Sequence, residues 1–288
     1  MSITLQREEE RKAAAQAQSA ASALSAPRKH ARAPYKTASR LLTILPPVLL
    51  GAVILGGWYF STARGLVASY ELPAPADVGT ALWSGLNSGL FLRMAWVTIL
   101  ESVGGFLLAA IMGLPVGYSL AKWRFVAATI HPYLAAGQAI PAIVIAPFLI
   151  IWIGPGLLTV AIICTLVVFF PMVITTALGF QTLEPSLIEA ARVEGASFWP
   201  MLTRIEFPLA MPAIMAAIRT GLTLSIVGAL VGEIVAGGDQ GLGSLVLIAK
   251  SQYDMSLMFA TVVVLAIMAA LFYGLTWELT RLSEAIYM

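Results

Sequence analysis

Three charged side chains stand inside long apolar stretches of this 288-residue chain: Glu101, Arg219 and Glu233. A charge in a stretch that crosses a bilayer is costly. It is kept to bond a solute or a partner, to carry a proton, or to pair with another side chain and hold helices together. Glu101 follows Thr98 by one helical turn. Glu233 closes Ile226-Val-Gly-Ala-Leu-Val-Gly-Glu233 and precedes Gly237-Gly-Asp-Gln-Gly-Leu-Gly243, whose glycines permit close helix approach and bending. Both acids are candidates for contact with a solute, and capping or bracing the bundle is the structural alternative. Arg219 reads as structural, within reach of lipid headgroups or an acidic neighbour.

Other chemistry is poorly supported. Gly238 and Gly243 have the spacing of a phosphate-binding loop, but Ser244 stands where that loop needs lysine, so the chain carries no ATPase of its own. His30 and His131 are too far apart for a standard zinc pattern, and no metal site is expected. No Gly-x-Ser-x-Gly nucleophile elbow occurs. Cys164 is the sole cysteine, which excludes an intrachain disulfide. These absences point away from a membrane enzyme.

The elements that must position the acids are apolar blocks. The chain is 59% hydrophobic and 11% charged, with mean hydropathy +0.87; soluble domains carry about 25% charged residues, so this is a polytopic membrane protein. Spans are expected near 41–63, 92–119, 127–151, 156–179, 210–236 and 256–280, each long enough to cross. The third is interrupted by His131-Pro132, Ile140-Pro141 and Pro147 and ends at Gly154-Pro155. Each proline frees a carbonyl that neighbours or water must satisfy. Between the first two spans, Leu72-Pro73-Ala74-Pro75 is extended, Asp77 can cap a helix, and Val78, Ala81, Leu82, Gly85, Leu86 and Leu90 recur at helical spacing. That predicts an amphipathic helix on the outer face.

Charge sets the expected orientation. Residues 1–40 hold eight of the seventeen Lys and Arg (Arg7, Arg11, Lys12, Arg28, Lys29, Arg32, Lys36 and Arg40) and form a basic, mostly solvated cytoplasmic tail. The transmembrane unit is then 41–288. Lys122, Arg124, Arg192, Arg204 and Arg281 fall on the same side as the tail, whereas Arg64, Arg93 and Lys250 lie opposite. Both termini are therefore expected inside. Trp58, Trp96, Trp123, Trp152 and Trp277 fall near span ends, as interfacial anchors do. A net charge of +2 gives no reason to expect nucleic acid, and lipid is the surrounding partner.

One cytoplasmic stretch is polar, Glu184 to Pro208. Pro185 suits a first helical turn. Ile188, Ala191 and Val193 alternate with Glu189, Arg192 and Glu194 in a short amphipathic helix, and Gly195 can take the left-handed backbone that closes it. Ser197 is placed to cap a second helix ending near Pro208. The pattern Glu189-Ala190-Ala191, three residues, Gly195, nine residues, Ile205, one residue, Phe207-Pro208 resembles the EAA loop of ABC importer permeases. Phe207 replaces the usual Leu.

Two further stretches are similar to the nitrate, sulfonate, taurine and pyrimidine-precursor branch of that family. They are Ile140-Pro-Ala-Ile-Val-Ile-Ala-Pro-Phe-Leu-Ile-Ile-Trp-Ile-Gly-Pro-Gly156, with Phe148 and Ile153 as departures, and Val231-Gly-Glu233 with its following Gly-Leu-Gly.

The resemblance implies an all-α, MetI-like type I importer permease with six transmembrane helices and a cytoplasmic coupling helix, in a bacterial inner membrane. Glu189, Ala190, Ala191, Arg192, Gly195, Ile205 and Pro208 would couple to the ATPase. Glu101, Gln138, Pro141 and Glu233 would line the pathway, and Gly241 and Gly243 would meet the binding protein. The implied partners are two ATPase subunits, which use ATP and Mg while this chain binds no cofactor, a second permease expected to be a copy of this chain, and a periplasmic solute-binding protein. The implied solute is a small organic molecule of the pyrimidine-precursor or riboflavin kind, with sulfonate, nitrate or taurine second. The alternative is a proton-coupled secondary transporter using Glu101 and Glu233. It would show inverted repeats and paired mid-membrane charges, and neither is visible in the sequence.

Overall fold

The computed structural model describes residues 40–236 and 240–287, and every regular element among them is helical. The basic tail, Arg40 apart, lies outside the described residues, as do Gly237, Gly238 and Asp239. Helix α1, Arg40–Ala63, contains an apolar stretch, Leu45–Ala63, long enough to cross a membrane. The chain divides at Gly56 into two units. In the second, α2 is Pro75–Asn87, α3 Leu90–Lys122, α4 Arg124–Ala139, α5 Ala142–Ile153 and α6 Leu157–Gln181. Then come α7, Pro185–Val193, α8, Phe198–Met201, a π-turn over Leu202–Glu206, α9, Phe207–Ala236, α10, Leu242–Ser251, and α11, Met255–Tyr287.

Helix α6 is the axis of the second unit: half of its most apolar window is buried, against 17% for α11. It can be enclosed because its neighbours present glycine. Cys164 lies between Gly105 of α3 and Gly228 of α9, and a Cβ at Gly228 would come within 2.7 Å of the Cys164 Cα. Gly117 meets Thr176, and Gly232 meets Val160, by the same close approach. With no water to drive apolar side chains together in lipid, such backbone proximity is what packs helices.

Helix α2 is amphipathic as its spacing predicts. Val78 is buried, with Ala81 and Leu82 packed on the cluster of Phe91, Met94, Leu242 and Leu245, while Trp83 faces outward. Its start differs from the expected one. Pro75 occupies the first turn, Ala74 is the cap residue, and Asp77 sits inside, where its charge favours the helix dipole rather than capping it.

Two proline sites also depart from expectation. The expected third span is two helices, α4 and α5, bent by 91°. Pro141 forces Ile140 out of helical geometry, to φ −86° and ψ 115°, and the helix stops there. At Pro208 the reverse holds. The helix expected to end there runs on, because the π-turn before it widens the ladder: the Phe207 N–H reaches back to the Leu202 carbonyl. An extra residue in that turn relieves the clash that a proline ring makes with the carbonyl four residues back.

Candidate functional sites at the two ends of the bundle

Helices α3 and α9 each carry a polar group at both ends. At one end they meet α7 and the π-turn; at the other they meet α10.

The first end is built on the Glu184–Pro208 stretch. Pro185 opens α7 and Gly195, at φ +86°, closes it. The Gly195 N–H donates to the Arg192 carbonyl and the Ala196 N–H to the Ala191 carbonyl, both at 3.0 Å. That double bond is the Schellman closure, which fixes the direction of the chain leaving the helix. Ala191 is buried beneath α7, while Glu189, Ala190 and Arg192 are exposed. Leu187, Val193, Phe198 and Trp199 are exposed too, Val193 at 88%. Ser197 holds the cap position of α8 without a side-chain cap bond. Ile205 and Pro208 are half-buried where the π-turn passes into α9.

Beneath this lever lies a group that the sequence reading missed. Glu206 is buried and accepts from the Tyr118 hydroxyl at 2.9 Å and from the Lys122 ammonium, the ion pair found among the described residues. Arg192, Ile188 and Leu183 close a cavity of about 210 Å³ over these three side chains. A charge between Ile205 and Phe207 was visible in the sequence; its partners, a span away, were not.

The opposite end holds both of the acids expected to line the pathway. Glu233 is 1% exposed and Glu101 3%. Glu233 accepts from the Thr98 hydroxyl at 2.6 Å and from the Gly243 N–H, and Thr98 in turn accepts from the Leu242 N–H at 2.9 Å. Glu101 adjoins Glu233, and its Oε2 has no hydrogen-bond partner. Read separately in the sequence, the two acids are a pair. Gly241 and Gly243, expected to face a binding protein, are instead buried against the Glu233 carboxyl. Gly241 is at φ +105°, and a side chain there would occupy the carboxyl's place. They form its cradle because only glycine lets the α10 backbone approach so closely. Glu101, Glu233, Ser244, Val97, Leu157 and Val160 are among the residues lining a cavity of about 500 Å³.

Gln138 and Pro141 are not part of that site. They lie at the α4–α5 break and line a separate cavity of about 440 Å³ with Phe170 and Pro171. Arg219 pairs with no acid among the described residues; its guanidinium stacks on the Tyr273 ring, 4.2 Å from the centroid.

Among the described residues five helices are long and apolar enough to cross a membrane and one bent pair adds a sixth candidate span, as in a polytopic membrane transport protein. Residues 105–276 match the family described as binding-protein-dependent transport system inner membrane component. The riboflavin transport system permease protein RibX of Chloroflexus aurantiacus is 38% identical over 238 residues, 83% of this chain and 88% of RibX. The formylaminopyrimidine transport permease protein ThiX of Halalkalibacterium halodurans is 26% identical, over 79% of this chain and 90% of its own. The fold matches a chain of the MetNI methionine ABC transporter in an inward-facing crystal form, with TM-score 0.61 and 22% identity, across 67% of this chain and 96% of that one. The chain thus belongs to that inner membrane component family and is a multi-pass permease subunit of an ABC importer, a transport component rather than a catalyst.

Proposed function

We propose that this chain, as a homodimer, forms the pathway of an importer for a small heteroaromatic solute of the riboflavin or pyrimidine-precursor kind. Two ATPase subunits dock on α7, and a periplasmic binding protein delivers the solute. The observation that carries the coupling role is the Gly195-closed lever, with Leu187, Val193, Phe198 and Trp199 exposed on and beside it. An exposed apolar patch of this kind favours burial against a protein partner. Supporting the solute assignment is the 38% identity to the riboflavin transport system permease protein RibX. The distribution of Lys and Arg supports a cytoplasmic location for both termini.

The lever works because it is stiff and braced. ATP binding draws the two ATPases together and carries α7 inward. Arg192, Ile188 and the Glu206–Lys122–Tyr118 group under it pass the motion to the π-turn and α3. The bundle swings outward-open to receive solute, and hydrolysis resets it. Glu189→Lys and Gly195→Leu are expected to weaken ATPase capture in a pull-down while membrane insertion stays normal. Equal capture by wild type and both variants would remove the coupling role. Thermal-shift screening of the binding protein against riboflavin, pyrimidines, taurine and nitrate tests the solute class, and stabilisation by taurine or nitrate alone would overturn it.

A further inference from the structure

The geometry points to the cavity beside Glu101 as the subsite that recognises a lactam edge on the solute, an N–H next to a C=O on a flat ring. The inference rests on the heteroaromatic solute proposed above and specifies which edge of it the permease reads.

Two observations, independent of each other, carry it. Glu101, 3% exposed, leaves Oε2 without a partner, and Ser244, 1% exposed, leaves Oγ without one. Both line the cavity of about 500 Å³. A buried polar atom left unpaired costs about 1–3 kcal/mol, so two in one cavity mark a place that a ligand completes. Glu233 is not available for this. Thr98 and Gly243 occupy its two oxygens, and the Gly241–Gly243 backbone covers it.

The chemistry of the two open atoms selects the ligand. Glu101 offers an acceptor with no lysine or arginine lining the cavity beside it among the described residues; a serine hydroxyl can donate. An acceptor and a donor on one wall complement an N–H and a C=O on one edge. Gln240 adds a further polar group to the lining, while Val97, Leu100, Leu157 and Val160 with Pro155 give an apolar surface for a ring face. A volume near 500 Å³ is far larger than a bare inorganic cation requires. Anionic solutes are disfavoured, since no cation lines this cavity among the described residues.

The test uses the assembled importer in nanodiscs, with riboflavin and 3-methylriboflavin as probes, read by flavin fluorescence quenching. Methylation removes the N–H and leaves the ring. Riboflavin is expected to bind the wild type about tenfold more tightly than its methyl analogue, from loss of one buried hydrogen bond. Glu101→Leu and Ser244→Ala should both weaken riboflavin, and Glu101→Leu should abolish the difference between the two probes. Ser244→Ala, a small change, guards against misfolding of the glutamate variant. Equal binding of the two probes to wild type, no riboflavin binding at all, or displacement of riboflavin by sodium or potassium ions would each overturn the subsite. ATPase stimulation by the loaded binding protein, measured on the same samples, reports separately on the importer: intact stimulation with equal probe binding sinks the subsite alone, and absent stimulation sinks the proposed function.

Discussion

Glu206 and Glu233 lie at opposite ends of α9 and its π-turn, both buried, and the chain treats them differently. Glu206 has a cation and a phenol: Lys122 and Tyr118 reach it from the end of α3, so the charge is matched within the protein. Among the described residues Glu233 has no cation partner. It is held by a threonine hydroxyl and a backbone N–H, and its neighbour Glu101 adds a second acid and an open oxygen. A buried ion pair that is complete in itself is a brace. Two acids with an unfilled acceptor form a site that awaits a donor. On the proposed reading the same residue type does mechanical work at one end and recognition work at the other, and its partners make the difference.

The comparison breaks most readily on stability. Glu206→Leu strands the Lys122 ammonium and the Tyr118 hydroxyl, and about 3 kcal/mol of stability is expected to go. Thermal unfolding of the detergent-solubilised protein measures it, and Glu206→Leu with Lys122→Met should recover most of the loss. Glu101→Leu should leave the melting temperature unchanged or raise it, because the open acceptor disappears and no partner is stranded. If Glu101→Leu destabilises as much as Glu206→Leu, the distinction between brace and site is wrong.

Two smaller changes sharpen the far end. Gly241→Val needs a side chain where the Glu233 carboxyl sits, on a backbone at φ +105°, and about 2 kcal/mol of destabilisation is expected in the same melt. Thr98→Val keeps the shape but removes a donor from Glu233 and an acceptor from the Leu242 N–H, for about 1–2 kcal/mol. Should Thr98→Val prove neutral while Gly241→Val is not, the cradle acts through backbone shape and the hydroxyl relay contributes nothing.

What was legible in the sequence was local. Pro185, Ala191 and Gly195 act within one or two turns of where they stand, so the bounds of α7 follow from them. Five span positions follow from apolar length alone. The residues that define the two sites act over distance: Tyr118 meets Glu206 across 88 positions, and Thr98 meets Glu233 across 135. No periodicity in one strand of text carries such a pairing. The Thr98–Glu101 spacing did place both on one helix face, which is the one hint of the far site that could have been pressed further. Prolines misled in both directions, since Pro141 ends a helix and Pro208 does not; a π-turn upstream of the second decides the outcome, and nothing in the residue types of 202–206 announces it.

The smallest effect concerns the lever. At Gly195 an added Cβ meets nothing within 4 Å, so Gly195→Ala pays no steric cost, and only the left-handed backbone at φ +86° opposes it. About 1 kcal/mol is the expected loss, confined to the end of α7. Such a change should leave global melting within error yet lower ATPase capture by a few-fold, because the direction of the chain leaving α7 is what the Schellman closure fixes. Gly195→Asn, which tolerates the left-handed region better, should restore part of the capture. Identical capture by the alanine and asparagine variants would mean that the lever's stiffness does not come from this closure but from the Glu206 brace below it.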